Sequence, residues 1–348
     1  MKTAAMKTAV VICPGRGTYT KSELGVLKRH FKDAGLLAAF DARRQAAGQE
    51  TLTALDSAAT YSVAKHTRGD NASALIYAAT LADFRAIEGV EVVAVTGNSM
   101  GWYSTLACGG ALTPEGGFEV VNTMGTLMQE RLIGGQLIYP FVDEDWHPDP
   151  ARKAGLLAIM ADIAARLGHV LALSIDLGGM LVLAGNEEGL KAFEGAVPPL
   201  QGRFPMRLAN HAAFHTALQA PVAEAGRARL SPALFGQPRL PMIDGRGHVW
   251  WPGACDLQAL WDYTLGHQVV ESYDFTKAIA HAAREFAPDL FIVTGPGTTL
   301  GGAVAQSLIL ANWRGLSAKA DFQTRQEASP ILVSMGMEAQ RTLVTAAG

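Results

Sequence analysis

Apolar and polar positions follow two rhythms along this chain. Short runs rich in β-branched residues, at 8–13, 91–96, 136–142, 170–174, 180–184, 204–208, 241–243 and 290–293, have the length and composition of buried strands. Apolar residues three to four apart over 22–34, 52–65, 72–87, 114–131, 150–167, 221–230, 275–286 and 301–310 have the spacing of helices with one buried face. In the first of these, Leu24, Leu27 and Phe31 share a side. Thr113-Pro114-Glu115 and Asp149-Pro150 carry the cap and first-turn proline that start a helix, and Asn186 caps another. Strands alternating with helices make this an α/β chain. The texture changes after residue 131: residues 132–208 read β-α-β-β-α-β, the split order of a ferredoxin-like subdomain. That segment divides a core formed by residues 1–131 and 209–348. No repeat of fixed period and no low-complexity stretch occurs, and the rhythm fades after Ala311.

One junction between the rhythms carries chemistry. The apolar run through Val92, Val93 and Val95 breaks on Gly97-Asn98-Ser99-Met100-Gly101 and resumes with small residues at helical spacing. Strand, Gly-x-Ser-x-Gly and helix in that order form a nucleophile elbow, which pushes the Ser99 hydroxyl out of the fold. The same turn leaves the amide of Met100 facing the place where an oxyanion forms. A serine needs a base, and of nine histidines His215 is the first candidate, because Asn210 to His215 follows the inserted segment and precedes a helix. His211 and His267 are its rivals. A second glycine loop, Pro14-Gly15-Arg16-Gly17-Thr18, follows the first strand, but it lacks the third glycine or Gly-Lys-Ser/Thr ending of a nucleotide site.

Composition narrows the function classes. A 348-residue chain with 49% hydrophobic residues fills a sizeable core, and a formal charge of -3 without a basic block excludes a phosphate-tracking nucleic-acid surface. Cys13, Cys108 and Cys255 are odd in number and far apart, which points to a reducing cytoplasm rather than a disulfide framework or structural zinc. No metal-ligand spacing such as His-Glu-x-x-His occurs. The lysines in residues 1–7 precede only a short apolar run, read as a first strand rather than a signal peptide, and no apolar stretch reaches membrane-spanning length.

Taken in order, the motifs resemble those of the malonyl-CoA:acyl carrier protein transacylase family, the acyltransferases of fatty-acid and polyketide synthesis. The matches are Pro14-Gly15-Arg16-Gly17-Thr18, Gly97-Asn98-Ser99-Met100-Gly101, Gly125-Thr-Leu-Met128-Gln129-Glu130 and Ala184-Gly185-Asn186, followed by Phe214-His215-Thr-Ala-Leu, Gln268 ahead of Phe275-Thr276-Lys277, and Gly295-Pro296-Gly297. The resemblance spans residues 8–310. It implies an α/β-hydrolase-like core with an inserted ferredoxin-like subdomain, Ser99 as the acyl-carrying nucleophile and His215 as base. It further implies Gln268 as the residue whose main-chain carbonyl orients the histidine, and the Met100 and Arg16 amides as the oxyanion hole. The implied substrates are a CoA thioester and the phosphopantetheine of an acyl carrier protein, with no tightly bound cofactor, metal, membrane or nucleic acid.

Departures from the family pattern concern the substrate pocket. Arg16 stands for the usual Gln, Asn98 for His and Trp102 for Glu, and Met124 replaces the Arg that clamps the free carboxylate of malonyl. Malonyl is the family default. A thioether at position 124 instead favours an acyl group without a carboxylate, unless Arg16 supplies the clamp from another direction. Two other functions use the same residues: hydrolysis of acyl carrier protein thioesters, and carrier-protein binding without turnover.

Overall fold

The computed structural model describes residues 6–346, so residues 1–5 of the lysine-bearing N-terminal segment lie outside the described residues. The strands are β1 (Lys7–Cys13), β2 (Val90–Gly97), β3 (Gly135–Pro140), β4 (Leu171–Leu177), β5 (Met180–Gly185), β6 (Met206–Arg207), β7 (Met242–Ile243), β8 (Val249–Trp250), β9 (Tyr273–Asp274), β10 (Leu290–Val293) and β11 (Leu332–Ser334). They form two sheets in an α/β fold. The first has the order β11-β10-β1-β2-β7-β8 and is parallel except for the β7–β8 pair. Parallel strands are covered on both faces, which is why β1 and the second half of β2 read as continuous apolar runs rather than as alternation. The helix Gly69–Ala86 that covers this sheet is buried over most of its length.

The second sheet has the order β6-β3-β5-β4-β9 and is antiparallel apart from the β4–β9 pair. Between residues 135 and 207 the elements run β3, helix Pro150–Ala164, β4, β5, helix Glu187–Ala196 and β6. The Asp149 and Asn186 side chains accept from the amides of Arg152 and Gly189, closing the starts of the two helices. The edge strand β9 comes from outside 132–208, so the sheet is completed by the chain that continues past residue 209.

Local breaks separate the structure from the sequence rhythm in two places. The expected helix over 22–34 is a short turn and Val26–His30, divided at Gly25, whose φ of 81° no other residue adopts cheaply. A longer helix, Ala34–Ala46, then starts at Asp33, which caps the Leu36 amide. The expected helix over 52–65 splits into Leu52–Asp56 and Val63–His66. Asp56 is buried, and its carboxylate accepts from the Leu27 and Lys28 amides and the Tyr19 hydroxyl, tying that end to other elements. Beyond Ala311 the chain adds the helix Lys319–Ala328 and the edge strand β11.

Candidate active site

Ser99 occupies the turn between β2 and the helix Gly101–Cys108. Its φ is 55°, a left-handed conformation that costs a serine about 1–3 kcal/mol and has to be held by its surroundings. The two glycines show how. A Cβ on Gly97 would overlap the Gly101 carbonyl, and one on Gly101 would overlap the Cys13 carbonyl at the end of β1. Strand end, turn and helix start are therefore in backbone contact, and Ser99 is the residue left outside.

His215 is the histidine that reaches the serine. Its Nε2 lies 2.8 Å from Ser99 Oγ, and its Nδ1 lies 2.7 Å from the main-chain oxygen of Gln268. A carbonyl only accepts, so Nδ1 carries the proton and Nε2 faces the hydroxyl as a base. His215 also has a positive φ, 58°, and its amide donates to Val269 O at 3.1 Å. Burial drives the imidazole pKa down to about 4, partly opposed by the Gln268 carbonyl, so it is neutral at pH 7. His211, by contrast, bonds the Ala209 carbonyl and packs edge-on to Phe214, and His267 stacks on Tyr263.

Gln268 touches both partners of the pair. It follows a wide π-helical turn, Tyr263–His267, of the kind that displaces backbone at functional sites. While its carbonyl holds His215, its side-chain Nε2 donates to Ser99 O at 3.1 Å, and its Oε1 accepts from the Tyr103 hydroxyl at 3.1 Å. Tyr273, from β9, donates to Gly97 O at 2.6 Å, and its ring lies 5.5 Å from that of His215. Sequence reasoning missed Tyr103 and Tyr273. Neither belongs to a motif, and only the folded chain shows that its hydroxyl ends on the elbow or on the residue that orients the base.

Two cavities meet at Ser99. A cleft of about 420 Å³ lies between the sheets, with Gly15 to Thr18, Asn98 and Ser99 on one wall and Ile138, Ile175, Leu177, Met180 and Val182 on the other. The second, of about 20 Å³, is bounded by Arg16, Ser99, Met100, Tyr103, Met128, Phe214, His215, Gln268 and Val269. Arg16 and Met100 border it, and their amides donate to no other backbone group among the described residues. Asn98 lines the large cleft with its buried Oδ1 unpartnered among the described residues. Trp102 and Met124, expected in the substrate pocket, line neither cavity. Both are fully buried: the indole donates to Thr264 Oγ1 at 3.0 Å, and the Met124 sulfur fills the space above Gly226. Both residues are packed into the core, and for Met124 the difference is position along the helix rather than the side of it. Met128, one turn beyond Met124, reaches the small cavity instead. No cluster of three or more His, Cys, Asp or Glu is placed to hold a metal ion among the described residues.

No family model matches the chain. A malonyl CoA-acyl carrier protein transacylase from Salmonella typhimurium (strain LT2) is 24% identical over 211 residues, 60% of this chain and 63% of the relative. The match thus spans under two thirds of that protein. An acyl-carrier-protein S-malonyltransferase from Burkholderia pseudomallei 1710b superposes with a TM-score of 0.72 at 20% identity, covering 97% of this chain and 98% of that one. A malonyl-transacylase solved in complex with its type II polyketide-synthase acyl carrier protein superposes at 0.70 and 18% identity, covering 96% and 97%. The chain therefore has the α/β fold of the acyl-carrier-protein S-malonyltransferases, and over three fifths of its length it is similar in sequence to a transacylase of that kind.

Proposed function

We propose that this protein is an acyl-CoA:acyl carrier protein S-acyltransferase working through an ester on Ser99. The observation that carries the reading is the continuous hydrogen-bonded line from Ser99 Oγ through both nitrogens of His215 to the Gln268 carbonyl, on a strained elbow beside two uncommitted amides. His215 Nε2 takes the Ser99 proton as Oγ attacks the thioester carbon. The amides of Met100 and Arg16 receive the oxyanion, and its collapse breaks the C–S bond while His215 returns the proton to the departing CoA thiol. The second half runs in reverse: His215 takes a proton from the phosphopantetheine thiol of the carrier protein, whose sulfur attacks the ester carbon, and collapse breaks the C–Oγ bond, returns the proton from His215 to Ser99 Oγ and releases the new thioester. Gln268 stands where a triad carboxylate would, so no full charge stabilises the imidazolium; a neutral carbonyl fixes the tautomer instead. The cleft between the sheets takes the pantetheine arm, and its apolar wall shields the ester from water. Free thiols at Cys13, Cys108 and Cys255 suit work in the cytoplasm.

Intact-protein mass spectrometry after mixing with acyl-CoAs tests this reading. A Ser99 adduct that moves to an added acyl carrier protein is expected. Release of CoA with no adduct and no transfer marks a hydrolase, and silence with every donor marks a binding partner without turnover.

A further inference from the structure

Arg16 brings a charge to the site that the steps above leave unused. Only its amide belongs to the oxyanion hole. Its side chain borders both cavities that meet at Ser99, with the guanidinium carbon 5.4 Å from the centre of the Phe214 ring. Nη2 donates to the main-chain oxygens of Thr67 at 2.7 Å and Asn210 at 2.9 Å, which fixes the group in place. Nε is buried and has no partner among the described residues. Asp70, the carboxylate whose field reaches Arg16, is itself held by Arg68 at 3.1 Å. Burial lowers the guanidinium pKa to about 10, which leaves it a cation at neutral pH. Two carbonyl dipoles fix this cation without neutralising it, and a buried charge without a counter-ion is a costly thing to build.

The position of that charge relative to Met124 gives it meaning. A Cβ on Gly69 would lie 2.9 Å from Gly125 O, 3.5 Å from Gln129 Cβ and 3.6 Å from Arg16 Nη1. Gly69 thus stands between the guanidinium and the helix Pro114–Glu130, at the residue after Met124. Other basic groups at the cleft do not compete. Arg203 is exposed and lies over Phe204 at 4.6 Å, and His211 is held neutral by burial and by Arg16 itself, its pKa lowered to about 3.

We propose that the Arg16 side chain selects the acyl donor, pairing with a free carboxylate on the acyl group of the thioester and so supplying the charge that Met124 lacks. The inference rests on the Ser99 acyl-transfer reading. With Nη2 spent on two carbonyls, the Nε–H is a donor left over beside a full positive charge, which binds a carboxylate in a way that no thioether or carboxamide reproduces, and an acyl group without the carboxylate leaves the cation unpaired.

The test measures acylation of the full chain by malonyl-CoA, acetyl-CoA and the methyl ester of malonyl-CoA, each as kcat/KM for appearance of the Ser99 adduct. For the unaltered protein, malonyl should exceed both uncharged donors by roughly a hundredfold, the scale of one unpaired buried charge. Arg16→Gln and Arg16→Met should collapse the malonyl-to-acetyl ratio towards one, whichever way the absolute rates move, and Arg16→Lys should keep part of it. A ratio near or below one in the unaltered protein overturns the inference, as does a ratio unmoved by Arg16→Gln. The methyl-ester comparison needs no variant and overturns the inference by itself, even if the substitutions fail to fold, where the ester is used as well as malonyl. No adduct with any of the three donors overturns the acyl-transfer reading and the inference with it, whereas adducts formed without regard to the carboxylate overturn the inference alone.

Discussion

His215 shows how burial sets a base. Its imidazole resists protonation until about pH 4 because the charged form would sit in a buried site, while the Gln268 carbonyl keeps Nε2 free. Acylation should therefore hold steady as pH falls from 8 to about 5 and drop only through about pH 4, where an ordinary histidine would lose it near 6.5. Stability moves over the same window: the unfolded histidine takes a proton below about 6.5 and the folded one does not, so stability present above that pH drains away as pH falls towards 4. Single-turnover acylation read milliseconds after a pH jump separates the two effects, and an acid limb near 6.5 would mean that His215 is not the base. His215→Ala should lose about a thousandfold or more in acylation, and Ser99→Ala all of it. At this scale the serine was legible, because Gly-x-Ser-x-Gly between strand and helix is a local pattern. The base was legible only as a ranking: His215 stood first by its place in the chain and by the family resemblance, with His211 and His267 as rivals, and the fold shows which ring faces Oγ. Trp102 and Met124 misled for a related reason: closeness to a motif in sequence says nothing about whether a side chain ends in the cleft or in the packed core beside it.

Elements were legible where one face is buried and the ends carry caps. The helices starting at Pro114 and Pro150 and the strand Leu290–Val293 sit within a few residues of their sequence limits, whereas the helix Ala34–Ala46 and the strand β11 went unread. Their weakness is physical: Ala34–Ala46 buries only Leu36, Phe40 and Arg44, too narrow a stripe to stand out, and a three-residue strand has no period. Glycines give the sharpest predictions here. Gly101→Ala drives a methyl into the Cys13 carbonyl and must displace the strand end that leads to Arg16, so it should cost about 1–3 kcal/mol and slow acylation as well. Gly155→Ala, in the helix Pro150–Ala164 with open space around it, should instead stabilise by about 0.5–1 kcal/mol and leave acylation unchanged. Denaturant unfolding and adduct kinetics on both variants distinguish a crowded elbow from a general sensitivity to added methyl groups.

At the scale of the whole molecule, the site exists because two sheets meet beside the elbow. The nucleophile stands at the end of β2 in the first sheet, and the far wall of its cleft belongs to β3, β4 and β5 in the second. Between them runs the segment from Gln268 to β9, which holds His215 at one end and pairs with β4 at the other. Tyr273 is the rivet: it belongs to the second sheet by its backbone, and its hydroxyl bonds Gly97 O at the elbow of the first. Tyr273→Phe removes only that bond and leaves the buried Gly97 carbonyl unpaired, a loss of about 1–3 kcal/mol. Since the carbonyl belongs to the strained turn that presents Ser99, the change should also lower the acylation rate by about tenfold with KM for the CoA donor little altered, because the cleft walls keep their shape. Tyr103→Phe serves as the comparison, for it frees a side-chain amide oxygen of Gln268 and leaves every elbow carbonyl with its donor. If Tyr273→Phe costs stability but leaves the acylation rate at the unaltered value, the joint between the sheets is structural, and the elbow is held by Gly97 and Gly101 alone.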